Sequence, residues 1–363
     1  MNAVADYLPG VPHVESPLFE SIFKQKAVSA QTMDLARQLR TNGYAVFDFP
    51  DPDFSRTADT IIHALKDQYD WEAWRSGKLD SLRVQDAWKT LPEVKQIACN
   101  PEVLALLSDL YGREAFPFQT LNFSVGTQQH YHSDSVHFSA CPERFMAGVW
   151  VALEDIDSDN GPLVYYPGSH ALPVFTNEHI GQNPDWGAAK PYTQYPAFER
   201  AWEAIVEAMD LKPLQFHAKK GQALIWAANL LHGGSAQKDL KRTRYSQVTH
   251  YYFKGCSYYT PLGSVPFLGK IFHREIIDIR TGEVVPNMVN GVPVQPQTAA
   301  GNGAPNLLTK LFARKEAAPA GPSLPAGFNK EAYLRANPDV AAAGVDPVKH
   351  WFEFGAKEGR PLQ

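Results

Sequence analysis

Cysteine is scarce in this chain: Cys99, Cys141 and Cys256 are the only three in 363 residues. They are scattered and odd in number, so they supply neither a disulfide framework nor a zinc-site spacing, and a reducing cytoplasmic location is expected. Positive charge is also short. The 34 Lys and Arg stand against 39 Asp and Glu, a formal net charge of −5, which leaves no basic field for nucleic acid. No apolar run approaches the roughly 18 residues a membrane span needs. The opening MNAVADYLPG has neither a basic region nor an apolar core, so no signal peptide is expected. What remains is a globular reading: 44% hydrophobic and 12% aromatic residues can fill the core of one large catalytic domain with an appendage.

Texture divides the chain. AQTMDLARQLRTNG (30–43) has helical periodicity and ends on Gly43, and YAVFDF (44–49) reads as a strand stopped by Pro50. Residues 53–69 read as a second helix with Asp53 or Ser55 as N-cap, and 92–98 and 101–112 as two more, each opened by Pro. From 115 to 285, short aromatic and β-branched runs split by Gly and Pro predict a mainly β core with flanking helices. A long insertion at 174–210, helical at its end, is placed as a lid or substrate wall. Three segments are expected: a domain over 1–290, a Pro/Gly/Ala-rich linker over 291–327 containing the amphipathic NLLTKLFARK, and a small helical C-terminal module over 328–363.

The chemistry concentrates on His132 and Asp134 in HYHSDSVHF and on His232 in LLHGGSAQ, 98 residues beyond Asp134. On a strand, residues i and i+2 point to one face. The second imidazole then comes from a strand across the core. Two imidazoles and one carboxylate form the ligand set of a mononuclear non-haem Fe(II) site, which leaves positions open for O2 and a co-substrate. Zinc takes similar donors, so the surroundings of His232 decide between the metals. There, RTRYSQVTHYYF places Arg244 and Ser246 at i and i+2, able to hold one carboxylate between them. Arg242 shares that face, and alternation does not choose between the two arginines. Gln119, Thr120 and Asn122, on the strand before the His-x-Asp pair, are further polar candidates. Thr120 and Asn122 share a face and Gln119 takes the other, so a regular strand turns only one set inward.

The segments HSDSVHF, VWVALEDIDSDNGPLVYYPGSH, GQALIWAANLLHGG and TRYSQVTHYYF, in that order, together resemble the phytanoyl-CoA dioxygenase family of Fe(II)/2-oxoglutarate-dependent oxygenases. The resemblance covers about residues 35–260. It implies a double-stranded β-helix (a jelly roll, cupin-like) with iron on His132, Asp134 and His232. It further implies 2-oxoglutarate anchored on Arg244 rather than Arg242, with Trp150 and Ser246 in the co-substrate pocket. The expected activity is hydroxylation of an unactivated C–H of a small organic substrate by O2, with decarboxylation of 2-oxoglutarate to succinate. The same fold also supports desaturation, cyclisation or epimerisation, and a non-catalytic metal-containing jelly roll is the contrasting class. Related halogenases lack the carboxylate ligand, so the presence of Asp134 argues against halogenation. On the substrate side, His137, which closes HxDxxHF, and Tyr165 and Trp186, in or beside the insertion, are the candidates. Tyr166, Tyr192 and Tyr195 are read first as packing, with a substrate wall as the alternative, and His130, His170, His217 and His250 as structural. The C-terminal YLRANPDVAAAG and HWFEFGAKEGRP resemble a short module appended to bacterial proteins, including glycosyltransferases, which implies a protein or glycan-assembly contact.

Overall fold

Ser29 starts the first long helix with its side chain, and Gly43 ends it with its backbone. The Ser29 hydroxyl accepts the Thr32 N–H at 3.0 Å. Gly43 adopts φ 83° and returns its N–H to the Leu39 carbonyl, a left-handed stop that favours glycine. A Cβ at Gly43 would also lie 2.6 Å from the His170 ring, so the turn and the close approach demand the same residue. Asp53 stands at the N-cap of the next helix but makes no side-chain cap bond.

The computed structural model describes residues 4–79, 81–182, 193–294, 325, 328–342, 347–351, 355 and 358–362, and the chain forms two compact units, 1–303 and 304–363. In chain order the first unit contains α1 (Phe19–Lys26), α2 (Ala30–Asn42), β1 (Tyr44–Asp48), α3 (Phe54–Leu65), α4 (Trp71–Arg75), β2 (Arg83–Gln85), α5 (Pro92–Ala98) and α6 (Pro101–Tyr111). Then follow β3 (Ala115–Phe123), β4 (Ser139–Cys141), β5 (Met146–Ala152), β6 (Leu163–Tyr165) and α7 (Tyr195–Ala208). The core closes with β7 (Leu214–Phe216), β8 (Gln222–Ala227), β9 (His232–Gly234), β10 (Ser246–Phe253) and β11 (Ser257–Tyr259). An antiparallel six-stranded sheet runs β1-β8-β5-β10-β3-β2, and a three-stranded sheet runs β7-β6-β9. This is the double-stranded β-helix, with helices added outside it.

Between the sheets lies one apolar layer. Leu121, Phe123, Trp150, Leu224, Trp226 and Val248 come from the large sheet, and Leu163, Tyr165 and Phe216 from the small one. The opposite face of the large sheet meets α5. There Gln247 donates to the Val94 carbonyl and the Tyr251 hydroxyl to the Ala98 carbonyl. Proline inside a sheet normally costs a ladder bond. Here Pro117 sits where the β10–β3 register slips, because Tyr251 pairs with Pro117 directly after His250 pairs with Gln119. The bulge absorbs Phe118 and lets β3 turn.

In the second unit, helices Lys330–Ala336, Pro338–Ala342 and Pro347–His350 enclose Tyr333, Val340 and Trp351. Most of the expected linker, including NLLTKLFARK, lies outside the described residues. Its first residues do not: Val292–Pro293 pairs with Met288–Val289 as a small hairpin. Among the described residues no helix is long and apolar enough to cross a membrane.

Gly148 on β5 faces Trp226 on β8, and a Cβ there would lie 2.1 Å from the indole. Gly148→Ala is therefore expected to destabilise the fold by about 1–3 kcal/mol through overpacking. Denaturant melts of the two proteins measure this, and an unchanged midpoint would show that the indole is free to move.

Candidate metal centre and its surroundings

Main-chain pairing brings the two metal-directed imidazoles together. His132 and His232 form an antiparallel bridge, with N–H to carbonyl distances of 2.9 and 3.0 Å in the two directions. Their ring centroids are 4.7 Å apart. The expected two-residue strand repeat from His132 to Asp134 does not continue. Asp134 opens a 3-10 turn (Asp134–Val136), started by the Ser133 hydroxyl accepting the Ser135 N–H. Ser-Asp-Ser favours such local side-chain to backbone bonds over a strand ladder. The turn still carries the carboxylate inward: His132 Nε2 is 3.5 Å from Asp134 Oδ1 and His232 Nε2 is 3.7 Å from Oδ2. One donor atom from each of the three residues lies within 4.8 Å of the others, and all three side chains are buried.

The two glycines after His232 permit this approach. A Cβ at Gly233 would lie 2.7 Å from the Gln129 carbonyl oxygen, and one at Gly234 would lie 2.4 Å from the Thr127 hydroxyl. Any larger residue would push β9 away from the segment that carries His132.

Hydrogen bonds define the tautomers. His132 Nδ1 lies 3.0 Å from the His130 carbonyl and His232 Nδ1 lies 3.0 Å from the Leu230 carbonyl. A carbonyl only accepts, so each Nδ1 carries the proton and each Nε2 lone pair is left for a cation. Burial pushes His232 down to about 4, against the pull of Asp134. Burial alone would raise Asp134, but the electrostatic pull of the His232, His132 and His250 rings outweighs it and holds the carboxyl well below the usual range. Neutral imidazole beside an ionised carboxylate is the state a divalent cation requires. The donor set fits Fe(II), with nitrogen and oxygen ligands and no sulfur.

Two further side chains, which the sequence did not single out as functional, complete the centre. Trp226 donates its indole N–H to Asp134 Oδ2 at 2.8 Å and packs on the His232 ring with centroids 4.8 Å apart. His250 lies 3.7 Å from the same oxygen, and its Nδ1 pairs with Gln119 Oε1 at 3.0 Å. Burial pushes His250 down to about 4. Strand alternation carried a signal for it, since His250 is two residues beyond Val248 and four beyond Ser246 on one face. Nothing in ALIWAAN separated Trp226 from ordinary core.

The polar candidates on β3 separate. Gln119 is on the inner face beside His250. Thr120 and Asn122 are corrected, because they lie on the opposite face, where Asn122 donates to Gln247 under α5. Alternation allowed only one set inward, and the inner set is the one continuous with Leu121 and Phe123.

Arg244 and Arg242 separate as clearly. Arg244 is 2% exposed; its Nε donates to the Gly161 carbonyl and its Nη1 to Ser246 Oγ, both at 2.9 Å. Burial lowers it to about 10, partly offset by Glu154, so it remains a cation at neutral pH. Its guanidinium lies 5.5 Å from the Trp150 ring centroid. The buried Trp150 indole N–H has no hydrogen-bond partner among the described residues. A buried cation beside an unsatisfied donor matches a carboxylate-bearing ligand. Arg242 instead lies at the surface, held by both Asp157 oxygens at 2.8 and 2.9 Å.

On the far side of His132, the His137 ring is buried with its centroid 6.2 Å from that of His132 and 5.2 Å from that of Tyr195 on α7. The insertion helix packs Phe198 and Trp202 against Val136, Tyr166 and Leu231. Tyr165 faces the interior layer, its ring 4.3 Å from Tyr44. Trp186 and Tyr192 lie outside the described residues. His170 holds a turn through the Arg40 carbonyl, and His217 is exposed and paired with Gln215. His130 is not a core residue, because its Nε2 meets Glu203 of α7 at 3.0 Å.

Trp226→Phe keeps the ring on His232 and removes the bond to Asp134. Loss of such an orienting partner is expected to weaken metal affinity about 10–100-fold, measured by chelator competition. Unchanged affinity would show that the indole only packs.

Residues 37–243 match the sequence profile of the phytanoyl-CoA dioxygenase (PhyH) family. The peroxisomal phytanoyl-CoA dioxygenase of Rattus norvegicus is 25% identical over 195 residues, covering 52% of this chain and 51% of that protein. The Bos taurus enzyme is 24% identical over 199 residues with the same two shares. The chain thus spans about half the length of the curated relatives it matches. Among solved structures, the non-haem α-ketoglutarate-dependent epimerase SnoN from nogalamycin biosynthesis aligns with a TM-score of 0.49 at 18% identity, covering 74% of this chain and 93% of SnoN. EctD from S. alaskensis, with 2-oxoglutarate and 5-hydroxyectoine, aligns at 0.46 and 17% identity, covering 65% and 80%. The profile match takes in more than half of this chain, His132, Asp134 and His232 included, and on that ground the chain belongs to the phytanoyl-CoA dioxygenase family.

Proposed function

We propose that residues 1–290 form an Fe(II)- and 2-oxoglutarate-dependent oxygenase that hydroxylates an unactivated C–H of a small organic molecule. One observation carries the reading. Two imidazole nitrogens and one carboxylate converge in a buried site, while a buried Arg–Ser pair stands two strand repeats from His250 on the same inner face.

In this reading His132, Asp134 and His232 hold iron. Bound Fe(II) with 2-oxoglutarate and O2 supplies the oxidising power for C–H cleavage, coupled to loss of CO2 and formation of succinate. The protein's own part is geometric and electrostatic. The carbonyls of His130 and Leu230 fix the imidazole tautomers, and Trp226 orients Asp134. Arg244 and Ser246 receive the distal carboxylate of 2-oxoglutarate, with Trp150 beside them. Burial strengthens that contact because the guanidinium has no bulk water to compete for it. His137 and the α7 wall border the substrate side and keep water out.

Asp134→Ala is expected to abolish iron-dependent conversion of 2-oxoglutarate to succinate. Near-normal turnover in that variant would overturn the proposal. Arg244→Ala is expected to raise the KM for 2-oxoglutarate about 10–100-fold, the scale of one or two charge-assisted hydrogen bonds, while Arg242→Ala leaves it unchanged. The reverse ranking would move the anchor to Arg242.

A further inference from the structure

We propose a second ligand site, apart from the metal centre, for an organic anion that carries a planar ring. A cleft of about 430 Å³ lies between α4 and the segment before Arg244, lined by Trp71, Trp74, Arg75, Leu240, Lys241 and Arg242 among others. Its volume falls within the roughly 300–1,000 Å³ of small-molecule pockets. None of the metal-directed residues, nor Arg244 or Ser246, contributes to its lining.

The chemistry of the lining selects the ligand. The Trp71 and Trp74 rings meet edge to face, 89° between planes and 6.4 Å between centroids, and both contribute to the lining. Leu240 is 60% exposed and adds apolar surface to the lining. The described charged residues lining the cleft, Arg75, Lys241 and Arg242, are all basic, although the chain as a whole has a net charge of −5. Arg242 is already committed to Asp157. The Arg75 and Lys241 side chains have no carboxylate partner among the described residues, although the Lys241 main-chain N–H donates to Asp239, and Arg75 lies over the Trp71 ring at 5.7 Å. Two cations with no side-chain ion pair among the described residues, one of them already over an indole, fit an aromatic carboxylate or a similar ring-bearing anion. A neutral aromatic would leave the cations unused, and a small inorganic anion would leave the indoles uncovered.

The probe is 2-naphthoate, titrated calorimetrically into the iron-free full chain with and without saturating 2-oxoglutarate. Binding of one molecule per chain at submillimolar Kd, unaffected by 2-oxoglutarate, is the expected result. The double variant Arg75→Gln/Lys241→Gln changes only exposed side chains and is expected to weaken naphthoate about tenfold or more. The same variant leaves the weaker binding of neutral 2-naphthalenemethanol unchanged, and Trp71→Ala weakens both probes. No binding at millimolar naphthoate, displacement by 2-oxoglutarate, or equal affinity in the double variant would each overturn the proposal.

Discussion

The reciprocal main-chain bridge between His132 and His232 is the constraint on which the centre depends. It places two residues a hundred positions apart directly opposite each other and fixes the distance between their rings. Gly233 and Gly234 make the approach possible, since side chains there would strike the backbone that carries His132. With the backbones locked, the carbonyls two residues before each histidine set both tautomers. The side chains therefore have little freedom left to lose when a cation binds, which favours binding by preorganisation.

A second constraint is the shared face of β10. Arg244, just before the strand, and Ser246, Val248 and His250 within it all turn to the same layer by the period of two. That single face links the anchoring pair at one end to the polar neighbour of Asp134 at the other. Much of the inner layer between them is apolar, with the Arg244 cation near one end and the Asp134 carboxylate near the other. The register slip at Pro117 falls beside His250. The strand bends there without disturbing the face that points at the metal-directed carboxylate.

Residue types and spacing made a good part of this legible. The His-x-Asp and distant His, the Arg-x-Ser pair, the Gly43 stop and the β rhythm of 115–285 all follow from local chemistry, and each has a counterpart in the described structure. Other features were not legible. Asp134 leaves the strand for a 3-10 turn because the Ser133 hydroxyl takes the Ser135 N–H, which periodicity does not register. Thr120 and Asn122 were as good as Gln119 on alternation, and only the side on which α5 packs sends them away from the centre. Trp226 had no chemical mark in an apolar run, and its role arises from the Gly148 gap opposite it.

The sequence by itself determined which donors exist, which periodicities they ride on and which classes of partner charge and composition disfavour, because these depend on residue type and near neighbours. The tertiary structure decided which of two equivalent faces points inward, which arginine is buried, and that an indole and a third histidine join Asp134. Those outcomes depend on pairing between distant segments, where a one-residue change of register inverts every side chain of a strand.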